Sequence, residues 1–247
     1  GKGFYYSRYA APKGSQLTGV NEYQMLYYHR LGDTQDLDTL IYARADHKDW
    51  GFDGEVTEDG SVLIITVWQG ASEKNQLYYK RLDQPQSPVI PFITDFKHSY
   101  RFLGKKGNRL LLQTDRDAPK GQIISVLLNQ ADPSKYTTLV PEQKNALTDA
   151  QLIADRLVLH YLKDASTEIK FFNLYGELQG ELPDLGLGSI GHLSGHRSSQ
   201  VSYFSFRSFT QPTMIYRLDH FSHKLEVIFK PTLEINTEEF KTEQVFI

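Results

Sequence analysis

Apolar positions along this chain come in short runs, each closed by a turn residue, and one such run recurs five times. Tyr27-Tyr28-His29-Arg30-Leu31-Gly32 is followed by Tyr78-Tyr79-Lys80-Arg81-Leu82-Asp83 and Ile124-Ser125-Val126-Leu127-Leu128-Asn129. Phe171-Phe172-Asn173-Leu174-Tyr175 and Ile215-Tyr216-Arg217-Leu218-Asp219 complete the series. The marker leucines, Leu31, Leu82, Leu128, Leu174 and Leu218, stand 51, 46, 46 and 44 residues apart. A repeat of about 40–50 residues made of short strands is the signature of a β-propeller, whose four-stranded blades cannot bury their faces alone. The pattern predicts an all-β fold, a propeller of about five four-stranded blades in one domain. The blades fall at 1–46 (with 237–247), 47–95, 96–142, 143–186 and 187–232.

Within the repeats, alternation and turn chemistry place the strands. The first unit shows three, at 4–9, Met25–Arg30 and Thr39–Ala43. The second shows four, at 54–57, 62–68, 76–81 and Val89–Ile93, with Glu58-Asp59-Gly60 as the hairpin turn, because glycine accepts a positive φ without a Cβ penalty. Strands follow at 100–103, 110–114, Gln122–Leu127 and 136–140, then at 150–153, 157–161, 168–172 and 178–182. The last unit holds 188–193, 201–206, 214–217 and Leu225–Phe229. Val62-Leu63-Ile64-Ile65 and Leu110-Leu111-Leu112 are apolar on both faces and suit strands stacked between neighbouring blades. In 201–206 the alternation puts Val201 and Tyr203 on the apolar face. Residues 141–148 hold at most one helical turn and are expected to be a loop. The final segment, 240–247, is strand-like; pairing it beside 4–9 would give the first blade a fourth strand and latch the ring.

Composition narrows the function. Lys plus Arg number 27 against 30 Asp plus Glu, a net charge of −3, which argues against broad phosphate-backbone binding; no nucleic acid partner is expected. There is no cysteine, hence no disulfide or thiolate metal site, and the compartment, cytoplasmic or periplasmic, stays open for a soluble chain. No apolar run is long enough to span a membrane as a helix, and no signal peptide is visible at Gly1. The chain starts without Met, directly in strand-like residues, and is expected to be a segment of something longer.

Candidate chemistry is sparse. No Gly-x-Ser-x-Gly elbow occurs. Gly186-Leu187-Gly188-Ser189-Ile190-Gly191 spells the dinucleotide fingerprint, but it precedes a strand of an all-β repeat, so a blade-to-blade turn is expected. His192 and His196 have a zinc-like spacing, yet flanking glycines argue against a helix and favour a surface turn. His220 and His223 are expected to be solvated, as is the acidic group Glu234, Glu238, Glu239 and Glu243. Asp49, Asp53 and Glu55 lack calcium-loop spacing. Trp50 and Trp68, the only tryptophans, are expected in blade packing, with either able to reach a shared cavity. No cofactor and no metal are expected.

Several stretches carry a resemblance. Gly3-Phe4-Tyr5-Tyr6-Ser7-Arg8-Tyr9, Gln24-Met25-Leu26-Tyr27-Tyr28-His29-Arg30-Leu31-Gly32 and Asn75-Gln76-Leu77-Tyr78-Tyr79-Lys80 resemble the propeller of the prolyl oligopeptidase family. So do Leu139-Val140-Pro141-Glu142 and Lys241-Thr242-Glu243-Gln244-Val245-Phe246, and the likeness runs the length of the chain, nearest to bacterial members. The resemblance implies a seven-bladed propeller capping an α/β-hydrolase domain that carries Ser, Asp and His and cleaves short peptides after proline. This chain resembles roughly the last five blades. It would then have no catalytic residues of its own, with the hydrolase domain and short proline-containing peptides as partners. The stretch from Tyr9 through Lys13 and Gly14 to Asn21 resembles a mobile loop at the domain interface. Trp68-Gln69-Gly70-Ala71 resembles the loop at the outer wall of the substrate site. Gln69 stands where family members often carry Arg, and Ala71 where a more polar residue is usual, which puts a charged substrate contact in doubt. The rival reading is a free-standing propeller that binds a protein or peptide.

Overall fold

The computed structural model describes residues 1–10, 19–232, 240 and 242–245. Their strands form five antiparallel sheets, each running in sequence order. The first has three strands, β1 (Gly3–Arg8), β2 (Met25–Arg30) and β3 (Thr39–Ala43). The second comprises β4 (Trp50–Val56), β5 (Val62–Gln69), β6 (Asn75–Arg81) and β7 (Val89–Ile93). In the third are β8 (Tyr100–Lys106), β9 (Arg109–Thr114), β10 (Gln122–Leu127) and β11 (Thr137–Val140). The fourth holds β12 (Ala146–Ile153), β13 (Arg156–Lys163), β14 (Ser166–Phe172) and β15 (Leu178–Glu181). The fifth consists of β16 (Ser189–Ile190), β17 (Val201–Arg207), β18 (Met214–Asp219) and β19 (Leu225–Phe229). This all-β, propeller-like arrangement is the one the repeat predicts. The only helical elements among the described residues are two single 3₁₀ turns, Gln35–Leu37 and Pro133–Lys135.

The chain divides into two compact units, Gly1–Asp117 with Ile124–Thr137, and Ala118–Ile123 with Thr138–Ile247. In the first unit, the period of two along β5 explains its uniform apolarity. Val62 and Ile64 join one core with Leu77, Tyr79, Phe102, Leu110 and Leu112. Leu63, Ile65 and Val67 point the other way, into a core with Leu26, Trp50, Phe52 and Tyr78. A strand buried on both faces must be apolar at every position. The β4–β5 hairpin turns at Gly60, φ +71°, and Asp59 braces it by accepting from the Thr57 hydroxyl at 2.7 Å, Ser61 N at 3.2 Å and Lys105 Nζ at 2.6 Å. The second unit packs Ile153, Val158, Ile169 and Phe171 against Leu193, Phe204, Phe206 and Tyr216.

Four expectations change. β16 is two residues long where 188–193 suggested a full strand. The Gln151 side chain takes the place of a neighbouring strand there, accepting from Leu193 N at 3.2 Å and donating to Leu193 O at 2.6 Å. Residues 146–148 are strand rather than loop, because Leu147 N finds Lys120 O at 2.7 Å and β12 then bulges between Leu147 and Asp149. In β17 the buried face is Ser202, Phe204 and Phe206, with Tyr203 exposed, because Ser202 Oγ supplies the partner of a buried His220. Finally, Phe240 and Thr242–Val245 form no strand. Gln244 Nε2 donates to Asp164 O at 2.6 Å and Thr242 Oγ1 lies 3.4 Å from Thr210 Oγ1, so these residues are held by side chains, and among the described residues the first sheet has three strands where four were expected. Residues 237–239, 241 and 246–247 lie outside the described residues.

Candidate functional site

An antiparallel meander puts every second connection at the same end of its sheet. On the first two sheets that end gathers, among the described residues, 9–10 with 19–24, 44–49 and 70–74. Tyr9 follows β1 and is exposed. Lys13 and Gly14 lie outside the described residues. Trp68, next to last in β5, pairs with Gly51, and a Cβ at Gly51 would overlap the indole, so only glycine lets the ring lie there. Next to it, Gln69 is exposed but not free: its Nε2 donates to Asp49 Oδ2 at 2.8 Å, while Gly70 N donates to Asp49 O at 3.3 Å. The Gln69 hydrogen bond holds the Asp49 carboxyl below its usual range. Gly70 has φ +55° and turns the chain toward exposed Ala71. The four residues of the Trp68–Ala71 turn are thus brought together with Asp49, which spacing alone did not select.

The feature that sequence reasoning passed over lies one loop earlier. Trp50 is buried between a parallel His47 ring, 3.8 Å away at 5°, and the Arg44 guanidinium, 4.7 Å from the ring centre. Phe96 meets its edge at 5.3 Å. Arg44 forks onto Asp46 with bonds of 2.8 and 2.7 Å, and that hydrogen bonding raises the Arg44 pKa and lowers that of Asp46. Tyr23 N donates to Lys48 O at 2.8 Å, and Lys48 Nζ reaches Glu22 at 2.9 Å. From the second sheet to the third, the buried Asn75 amide holds the Tyr100 backbone through Nδ2 to O at 2.9 Å and N to Oδ1 at 2.7 Å. Asp115 accepts from Lys74 and from Ser99 N. Burial works against ionising Asp115, yet these donors keep its pKa below the usual value. The sequence signal was only the closeness of Arg44, Asp46 and His47 in one loop to Trp50 at the start of β4.

These contacts fix loops; they assemble no acid–base pair beside a nucleophile. Among the described residues no group of three or more His, Asp or Glu could hold a metal ion, and no helix is long and apolar enough to cross a membrane. In the second unit, His192 is an exposed clip rather than a ligand, with Nδ1 3.1 Å from Asp149 and Nε2 2.8 Å from the Gln151 amide. Gly186 and Gly188 of the fingerprint lie in the connection from β15 to β16 and Gly191 follows β16, a sheet-to-sheet connection that leads into a strand rather than a helix, and a Cβ on Gly188 would meet the Phe206 ring at 2.5 Å. His220, expected in solvent, is 1% exposed and bonded to Ser202 Oγ at 2.9 Å; burial drives its pKa down to about 4. The Asp219 side chain turns the loop by accepting from Phe221 N and Ser222 N, which folds His220 inward.

Five antiparallel meander sheets, each in sequence order, define a propeller-like all-β scaffold. The sequence profile of the prolyl oligopeptidase N-terminal β-propeller domain matches residues 1–231, and the chain belongs to that family. The prolyl endopeptidase of Elizabethkingia miricola is 30% identical over 246 residues, which is 99% of this chain and 34% of that protein. Prolyl oligopeptidase A of Galerina marginata is 30% identical over 267 residues, 99% of this chain and 35% of that one. A solved structure from a study of two prolyl endopeptidases and the role of inter-domain dynamics superimposes with a TM-score of 0.86 at 30% identity, over 99% of this chain and 35% of the other. The chain therefore spans about a third of the length of these relatives.

Proposed function

We propose that this chain is the gating and scaffolding propeller portion of a serine peptidase that cleaves short peptides after proline. Its partners are then an α/β-hydrolase domain and proline-containing peptides. The observation that carries this reading is the match in order over 99% of the chain to about a third of a prolyl endopeptidase. A non-catalytic role is supported by the sealing of the Ser202–His220 pair, since a nucleophile at 0% exposure meets no substrate. The loop end bearing Tyr9 and Trp68, Gln69, Gly70, Ala71 is the side turned to substrate, and Lys13 and Gly14 belong to the same gating stretch of sequence. The blades run 1–46, 47–95, 96–142, 143–186 and 187–232 and form part of a larger ring. Closure of five blades through 240–247 is disfavoured by the side-chain anchoring of Thr242 and Gln244 at Thr210 and Asp164.

The pure chain should leave a Gly-Pro chromogenic peptide intact, while the longer protein containing it turns the peptide over and is stopped by a serine-directed inhibitor. Turnover by the chain alone, with the same inhibition, would sink the reading.

A further inference from the structure

In the connections at the loop end of the first two sheets, every described lysine and arginine already has a carboxylate. Arg44 forks onto Asp46, Lys48 Nζ reaches Glu22 at 2.9 Å, and Lys74 is paired with Asp115. Two acids of the same connections, Asp49 and Glu73, are exposed and have no ion-pair partner among the described residues. Of the two, Asp49 is held in place. Its Oδ2 accepts from Gln69 Nε2 at 2.8 Å and its backbone O from Gly70 N at 3.3 Å, so the carboxylate and the Trp68–Ala71 turn form one piece. The Gln69 hydrogen bond holds the Asp49 carboxyl below its usual range, with smaller help from His47 and Lys48, so it is ionised at neutral pH.

This charge stands beside an apolar surface. Trp68 opens the same turn, lies with its indole against Gly51 and is only half-buried. A long basic side chain has two parts to satisfy, an apolar stem and a cationic head. Trp68 offers a ring for the stem and Asp49 an anion for the head. An acidic side chain arriving at the same wall would meet unpaired carboxylates and only cations that are already engaged.

We propose that Asp49 makes this wall selective for cationic peptides: a lysine or arginine on the N-terminal side of the cleaved proline is drawn to its carboxylate, and an aspartate or glutamate there is repelled. The inference rests on the reading under Proposed function, which takes the Trp68–Ala71 turn as the side turned to substrate. Asp49 is then a specificity-determining residue that touches the flank of the peptide and not its reacting atoms. Its effect is that of one exposed ion pair, a factor of about two to five, and it weakens as salt shortens the screening length.

The test uses the longer protein with its catalytic domain and two series of N-acetylated chromogenic peptides, X-Gly-Pro and Gly-X-Pro, in which X is Lys, Ala or Glu. Asp49→Asn removes the charge while its side-chain oxygen can still accept from Gln69. Asp36→Asn removes the same charge from the exposed β2–β3 connection at the opposite end of the first sheet. In at least one series the wild-type protein should prefer Lys to Glu in kcat/KM, mainly through KM, and added salt should compress the ratio. Asp49→Asn should lower that ratio about two- to fivefold, and Asp36→Asn should leave it as in wild type. No preference in either series, a ratio that Asp49→Asn leaves untouched, or an equal fall in Asp36→Asn overturns the inference. Those results leave the functional reading standing as long as the wild-type protein cleaves the Ala peptides after proline. Failure to cleave any of the peptides removes that reading and this inference with it.

Discussion

Replacing His220 with Phe should change how the second unit responds to acid. His220 is 1% exposed, bonded through Nε2 to Ser202 Oγ, edge-on to Phe171 at 5.9 Å, and its Nδ1 is buried with no partner. Burial, with Arg156 nearby, lowers its pKa from the ordinary 6.5 to about 4, Asp219 opposing weakly. The folded pKa lies below the unfolded one, so the unfolded chain binds the proton more readily. The stability tied to neutral His220 is then complete above pH 6.5 and is lost as pH falls toward 4. Between about pH 7.5 and pH 4.5 this one group withdraws about 2.5 kcal/mol. Phe keeps the ring against Phe171 and cannot titrate, but it leaves Ser202 Oγ unpaired at about 1–3 kcal/mol. The variant should be the less stable protein near neutrality and should lose about 2.5 kcal/mol less on acidification. Urea midpoints for both proteins at the two pH values measure the difference, with Ser202→Ala/His220→Phe recovering the neutral-pH loss. Equal acid losses in wild type and His220→Phe would refute the reasoning.

Three further substitutions probe the same construction. Gly51→Ala should cost about 1–3 kcal/mol and shift Trp68 fluorescence, because the new methyl would overlap the indole. Asn75→Ala removes both hydrogen bonds to the Tyr100 backbone and leaves that N–H and C=O buried, so the denaturant midpoint should fall by the equivalent of about 2–3 kcal/mol. Ala165→Gly should raise the melting temperature through about 0.5–1 kcal/mol, because Ala165 sits at φ +61° in the β13–β14 turn and glycine removes the left-handed penalty.

The repeat made the strands legible because each strand is short, apolar and closed by a turn residue; Met25–Arg30, Gln122–Leu127 and Leu225–Phe229 are bounded where the pattern put them. It misjudged places where a side chain substitutes for backbone or for solvent. Gln151 shortens β16, and Ser202 with His220 inverts the face of β17, since a hydroxyl–imidazole pair can be buried only when both partners meet. The Trp68–Ala71 turn was found through resemblance, but Asp49, which fixes Gln69, comes from another sheet connection and had no local mark.

The central claim, that this scaffold gates a post-proline peptidase, is tested most directly by the longer protein's choice between two substrates. One is a short proline-containing peptide; the other is the same sequence carried in an exposed loop of a folded protein. Cleavage of the peptide with the folded protein left intact is the expected result. Equal rates on both would contradict a gating role.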